Sequence, residues 1–395
     1  MNTKQGDKRM NAIINTKLIT EDGIIWDGAV TWEGKTIVQA GWRTDVDIPA
    51  DADIIDAGGK YTAPGLIDIH CHGCGDFYFF ENPMYCAERF LQHGTTTILP
   101  TFYSNLSLED MLAGIDRVRA ASTEGAGRII DGIYMEGPYM GGKGSYQSTM
   151  KWCGPILKEE FQPLVDYIGD DVRVWCIDPG RPGIEEFLDY ARQVKPGVIF
   201  SMGHSESYAS ACRRIKNKYG IRNQTHHNDS GKAKGFCQGT FGAGCDEFTL
   251  YDPDIFAEII CDKNGIHVDP DIIKMVVRTK GVERIILITD SMTSRDNYKN
   301  APEIGYGPDL NYDDIGYLAG SRLTLENACQ NMMKHTGYGL CHAIRFATIN
   351  PARMLGIDHK VGSLEPGKLA NIILIDDMVH IDTVILQGDV MVRNA

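Results

Sequence analysis

The feature that most constrains this chain is an alternation. Eight strand-like runs, most of them apolar, at 66–70, 96–102, 129–136, 172–178, 198–204, 223–227, 257–267 and 284–290, are separated by segments with helical spacing, such as Leu108–Ala121, Glu185–Gln193 and Ser207–Lys218. Strands joined through helices lie parallel, because each crossover returns the chain to the same end of the sheet. Eight such units predict an α/β fold, a closed (β/α)8 barrel of the TIM type, which takes about 250 residues. The barrel is expected over 61–356.

The two ends of the chain read differently. Asn11–Asn15, Ala29–Trp32 and Thr36–Ala40 alternate as short strands, with Glu33-Gly34 as a hairpin turn. Ala370–Ile375, Ile381–Leu386 and Val390–Val392 do the same near the C-terminus, around a turn at Gln387–Asp389. Strands this short cannot bury a core alone. Residues 1–60 and 357–395 are therefore expected to co-fold into one small β-sandwich domain. A chain of 395 residues accommodates both units, and its 43% apolar and 23% charged residues are those of a globular protein.

Net charge of −14 argues against nucleic acid or an anionic membrane as the main partner, though it leaves room for a local basic pocket. No apolar run approaches the ~18 residues that span a bilayer. Eleven cysteines show no secreted-framework spacing, and residues 1–9 lack the apolar core of a signal peptide, so reduced thiols and a cytoplasmic location are expected. Cys71 and Cys74 form a Cys-x-x-Cys pair, but Cys71 sits between two histidines on a strand rather than opening a helix, and both read as structural.

Active sites of such barrels lie where the strands end. The first strand ends in His70 and His72, which project to one face because side chains alternate. The third ends in Glu136, the fifth in His204, the sixth in His226 and His227, the seventh segment in His267 and the eighth in Asp290. Each alone has a plain reading: a packed histidine, a turn-capping Glu136, an Asp290 that caps a helix. Their coincidence on one rim is harder to explain that way. Imidazoles and carboxylates are the ligands of zinc or iron(II), and a carboxylate left beside the metal suits acid–base work.

Pro64-Gly-Leu-Ile-Asp-Ile-His-Cys-His-Gly73, Met135-Glu-Gly-Pro138, Gly203-His204, Thr225-His226, Gly265-Ile-His267, Ile288-Thr-Asp-Ser-Met292 and Leu318-Ala-Gly-Ser321 resemble, in this order, the N-acetylglucosamine-6-phosphate deacetylases of the amidohydrolase superfamily. The resemblance extends through Asn350–Gly356 and Gly362–Asn371 and so covers nearly the whole chain. It implies Glu136, His204 and His226 as the principal metal ligands, with His70 and His72 as a second site that only some members keep. It implies one or two ions of zinc or iron(II), with manganese a further candidate, Glu136 bridging them and Asp290 beside the first. Asp290 matches the catalytic acid–base, His267 a residue that contacts the substrate, and Leu318, Ala319 and Gly320 a loop against the acetyl-sugar. A homodimer is implied as well.

The departures from that family lie in its substrate loops. After His226 the chain runs His227-Asn-Asp-Ser-Gly-Lys-Ala-Lys-Gly235 in place of the phosphate-holding Leu-Phe-Asn-Ala-Met, and the Arg-Glu-Pro-Gly that follows there is absent. His227, Asp229, Ser230, Lys232 and Lys234 are the substrate-contact candidates here; Asp229 repels a phosphate unless a lysine compensates. Gln147, in the glycine-rich stretch Gly141–Gln147, is another. Asn264 stands where an Asp is usual. The expected reaction is deacetylation of N-acetylglucosamine-6-phosphate. The same barrel acting on another amide and a non-catalytic scaffold barrel are the competing readings.

Overall fold

The computed structural model describes residues 9–141, 151–229, 240, 242–294, 307–313 and 316–394. Its centre is a barrel of eight parallel strands in sequence order: Leu66–Cys71, Thr95–Tyr103, Ile133–Glu136, Val172–Ile177, Ile199–Met202, Asn223–Gln224, Phe256–Ile260 and Ile285–Ile288. The eighth strand meets the first through loop bonds at the rim. The Asp290 N–H donates to the His70 carbonyl at 2.9 Å, and the His72 N–H to that of Ser291 at 2.8 Å. The Thr289 hydroxyl donates to buried Asp68 at 2.6 Å.

All eight expected strands are present, with three main shifts; the sixth ends at Gln224 rather than His227. The third begins at Ile133, because Gly125–Ile129 winds into a 3-10 turn. The seventh ends at Ile260, not at His267: Asp262 accepts the amides of Asn264, Ile266 and His267 and folds 261–267 into a loop. An Asx-type turn ends the strand by offering its backbone a local acceptor.

The intervening helices bury one face each. In Leu108–Ala121, Met111, Ile115, Val118 and Ala121 are buried at helical spacing, and Ser107 caps the start by accepting the Asp110 amide. Gly114 of the same helix lies so close to the barrel that a Cβ there would stand 2.7 Å from Phe102 and Phe80.

Both chain ends share one mixed eight-stranded sheet. Its path runs Asp389–Arg393, Ile381–Leu386, Ile372–Ile375, Tyr61–Pro64, Met10–Thr20, Gly23–Glu33 and Thr36–Trp42, with Asp53–Asp56 also paired to Met10–Thr20. The sheet folds over on itself, giving the two layers of the sandwich around Ile13, Val30, Trp32, Ile372, Leu374 and Ile385. Its remote edges meet where the Trp32 indole donates to the Gly388 carbonyl at 3.1 Å and the Ala370 amide to Lys35 at 2.8 Å. Tyr61–Pro64 pairs with Ile372–Ile375, so this sheet reaches four residues past the boundary at 60 expected from sequence.

Candidate metal centre

Six side chains from five strand ends converge at the C-terminal rim. Glu136 lies between two groups of ligand-type atoms. Its Oε1 is 2.8 Å from His204 Nε2 and 2.9 Å from His226 Nε2, and the two ring nitrogens are 2.9 Å apart. Its Oε2 faces His72 Nε2 at 3.1 Å and His70 Nε2 at 3.5 Å; Asp290 Oδ1 faces the same two nitrogens at 3.1 and 3.4 Å. The groups are thus Glu136, His204 and His226 on one side, and His70, His72, Glu136 and Asp290 on the other, all buried.

Backbone geometry presents them. His204, His226 and Asp290 have φ of 45°, 27° and 47°, a region that disfavours residues with a Cβ. Such strain persists only where the surroundings over-determine it, and three of the chain's positive-φ residues other than glycine are these rim residues. Behind Asp290, the strand Leu318–Ser321 supplies support: the Ser321 amide donates to the Asp290 carbonyl at 2.8 Å. Gly320, at φ 57°, allows this approach, since a Cβ would stand 2.5 Å from that carbonyl.

The electrostatics ask for a cation. Burial by itself would raise the Glu136 carboxyl, but the charges of His70 and His204 and the bonds from His204 and His226 hold it well below its usual range. Asp290 is likewise kept low against burial by His70 and His72. Burial disfavours a charged His226, yet its bond to Glu136 pulls the imidazole up to about 9. Without a metal, protons on His70, His72 and His226, all pulled up against burial by the neighbouring carboxylates, balance the negative charge. His70 Nε2 is buried and aimed at two carboxylate oxygens without a hydrogen bond. Four imidazoles and two carboxylates in this arrangement fit one or two divalent ions of the zinc or iron type.

The remaining site candidates divide. His267 is buried, neither ring nitrogen has a hydrogen-bond partner within bonding distance among the described residues, and its Nδ1 lies 3.7 Å from Asp229 Oδ1. Asp229 also faces His226 Nδ1 at 3.9 Å, so it sits beside the cluster. His227 does not: its ring turns outward from the barrel, 2.6 Å from Gln224 and near Asp246, and burial drives it down to about 3. The cause is the turn 225–229, which sends adjacent side chains to opposite sides. Gly320 backs Asp290, Ala319 is buried with its carbonyl accepting from Asn311, and Leu318 is half-buried. Gln147, Ser230, Lys232 and Lys234 lie outside the described residues.

Sequence reasoning passes over Glu258. This fully buried acid on the seventh strand lies 3.1 Å from His70 Nδ1 and accepts the His226 amide at 3.1 Å. The signal was a single acid inside the apolar run Ile255–Ile260. Asp68, whose Oδ1 accepts the His70 amide at 3.2 Å, is a second acid of this kind.

Residues 61–391 match the model of the Amidohydrolase family. The chain is 26% identical over 387 residues to the N-acetylglucosamine-6-phosphate deacetylase of Haemophilus influenzae, covering 91% of this chain and 94% of the relative. It is 24% identical over 383 residues to the N-acetylgalactosamine-6-phosphate deacetylase of Escherichia coli O157:H7, covering 90% and 97%. The crystal structure of N-acetylglucosamine-6-phosphate deacetylase from Pasteurella multocida superposes with a TM-score of 0.82 at 24% identity, over 98% of this chain and 100% of that one.

Proposed function

Because the chain belongs to the amidohydrolase family, we propose that it hydrolyses the acetamide of N-acetylglucosamine-6-phosphate, releasing acetate and glucosamine-6-phosphate. The observation that carries this reading is the Glu136-bridged cluster with Asp290 on its rim. Relatives matched over 94% and 84% of their length carry that activity in their names.

Glu136, His204 and His226 would hold one divalent ion, and His70 and His72, with Glu136 and Asp290, a second. Zinc, iron(II) or manganese bound there lowers the pKa of water and polarises a carbonyl. Asp290 Oδ1 stands where it can take a proton from the attacking water and pass it to the departing amine, as general base and then general acid. His267, buried beside the cluster with Asp229 facing its Nδ1, offers an N–H to the acyl oxygen or sugar. A location in the cytoplasm and a homodimer complete the reading.

Asp229 favours a second reading, the same chemistry on a different acetamido sugar. Its carboxylate occupies the loop that should receive phosphate, facing His267. The test is acetate release by metal-loaded protein from N-acetylglucosamine-6-phosphate, its galactosamine epimer and both unphosphorylated sugars. Fast release from the first supports the main reading; turnover confined to another substrate transfers it to the second. Folded, metal-loaded protein that cleaves no amide would support a scaffold.

A further inference from the structure

Glu258 touches both halves of the cluster without belonging to either. Its Oε2 faces His70 Nδ1 at 3.1 Å and accepts the His226 backbone N–H at 3.1 Å; its Oε1 accepts from the Asn223 amide at 2.5 Å and the Tyr134 hydroxyl at 3.2 Å. Tyr134 also stacks on the His70 ring, with centroids 4.7 Å apart and planes 29° apart. The Asp68 carboxylate takes the His70 amide from the other side.

These contacts determine what His70 can do. A carboxylate at Nδ1 makes that nitrogen the N–H donor, which leaves the lone pair on Nε2, the atom facing His72, Glu136 and Asp290. The Tyr134 face then prevents the ring from swinging away. At the same time Glu258 holds the amide of His226, whose φ of 27° is unfavourable for an unsupported backbone. One buried carboxylate thus positions a ligand from each group.

We propose that Glu258 is the positioning residue that commits this chain to a two-ion centre, by fixing the His70 tautomer and ring. The inference rests on the reading of the cluster as a metal site. His70 is the only ligand-type ring whose orientation depends on the Glu258 side chain directly, so the second position should suffer first.

The test is metal stoichiometry and stepwise affinity, measured by titrating chelated protein with zinc and by elemental analysis, for wild type, E258A, E258Q and H70A. Wild type is expected to bind two ions per chain. E258A should weaken the second by about 10- to 100-fold while the first is held, and E258Q, which can still accept from His70, should recover part of the loss. In protein titrated with cobalt(II), the visible absorption of the second ion should need about 10- to 100-fold more metal in E258A, as in H70A, and the double variant should shift no further than H70A. Equal second-ion affinity in wild type and E258A overturns the proposal and leaves the metal-site reading intact, as does a wild type that binds one ion. Wild type that binds none overturns both. Should E258A fail to fold, E258Q decides: a second-ion affinity equal to wild type overturns the proposal, and a drop of about tenfold supports it.

Discussion

At the scale of single residues, Asp290 carries the sharpest expectation. Its carboxylate is the group placed to move protons, and an amide of the same shape cannot. Asp290→Asn is expected to lower kcat by about 10²- to 10⁴-fold. The ion held by Glu136, His204 and His226 should remain, because Asp290 is not in that group. Steady-state rates alongside elemental analysis check both halves; a normal rate would remove Asp290 from the mechanism. The imidazoles make a second prediction, for protein stripped of metal. His226 titrates near 9 when folded against an ordinary 6.5, so its stabilisation is complete below about 6.5 and lost as pH rises through 9. Tm of the chelated protein should therefore fall across that window. Zinc-loaded protein should lack the slope, since a ligated ring cannot take the proton.

At the scale of elements, the support behind Asp290 is the vulnerable part. The strand Leu318–Ser321 approaches its backbone closely, and only a glycine at 320 permits the contact. Gly320→Ala should displace Asp290 and cost about 100-fold in kcat, with the ion at Glu136, His204 and His226 preserved, since misplacement near 1 Å suffices for such a loss. The helix Leu108–Ala121 makes a contrasting case, because its cap Ser107 bonds within the helix's own first turn. Ser107→Ala removes the acceptor of the Asp110 amide and should lower stability by about 1 kcal/mol in denaturant titrations, leaving turnover unchanged. Most barrel strands were legible in the sequence because they are apolar runs between helices; the sixth, Asn223–Gln224, is polar and was legible from its place in the alternation. The end of the seventh was set too late, at His267: Asp262-Lys-Asn-Gly265 breaks the apolar run, and the Asp262 carboxylate turns the backbone there by accepting the amides of Asn264, Ile266 and His267.

For the whole molecule, the question is how the two units depend on each other. The terminal sheet needs strands from both chain ends, and Trp32 stands where its remote edges meet, fully buried with its indole bonded to Gly388. Trp32→Ala should cost about 3–5 kcal/mol, the range for a buried aromatic deleted from a packed core. Loss should be visible in chemical denaturation as a lower midpoint, and proteolysis should then attack both termini together. Chain ends that frayed independently in that variant would contradict the shared core.

Periodicity and strand-end chemistry in the sequence determined the barrel, the co-folding of the chain ends and the set of ligand-type residues His70, His72, Glu136, His204, His226 and Asp290. These are local properties, readable because a strand's apolar run and its terminal residue are neighbours in the chain. Tertiary structure alone decided the rest. His226 and His227 are adjacent and chemically identical, yet a turn sends one ring to the cluster and the other into the wall. Glu258 stands 188 residues from His70 in sequence and 3.1 Å from it in space. Which buried group meets which depends on barrel closure and on backbone angles at the rim, and neither is written in the spacing of residues along a single strand.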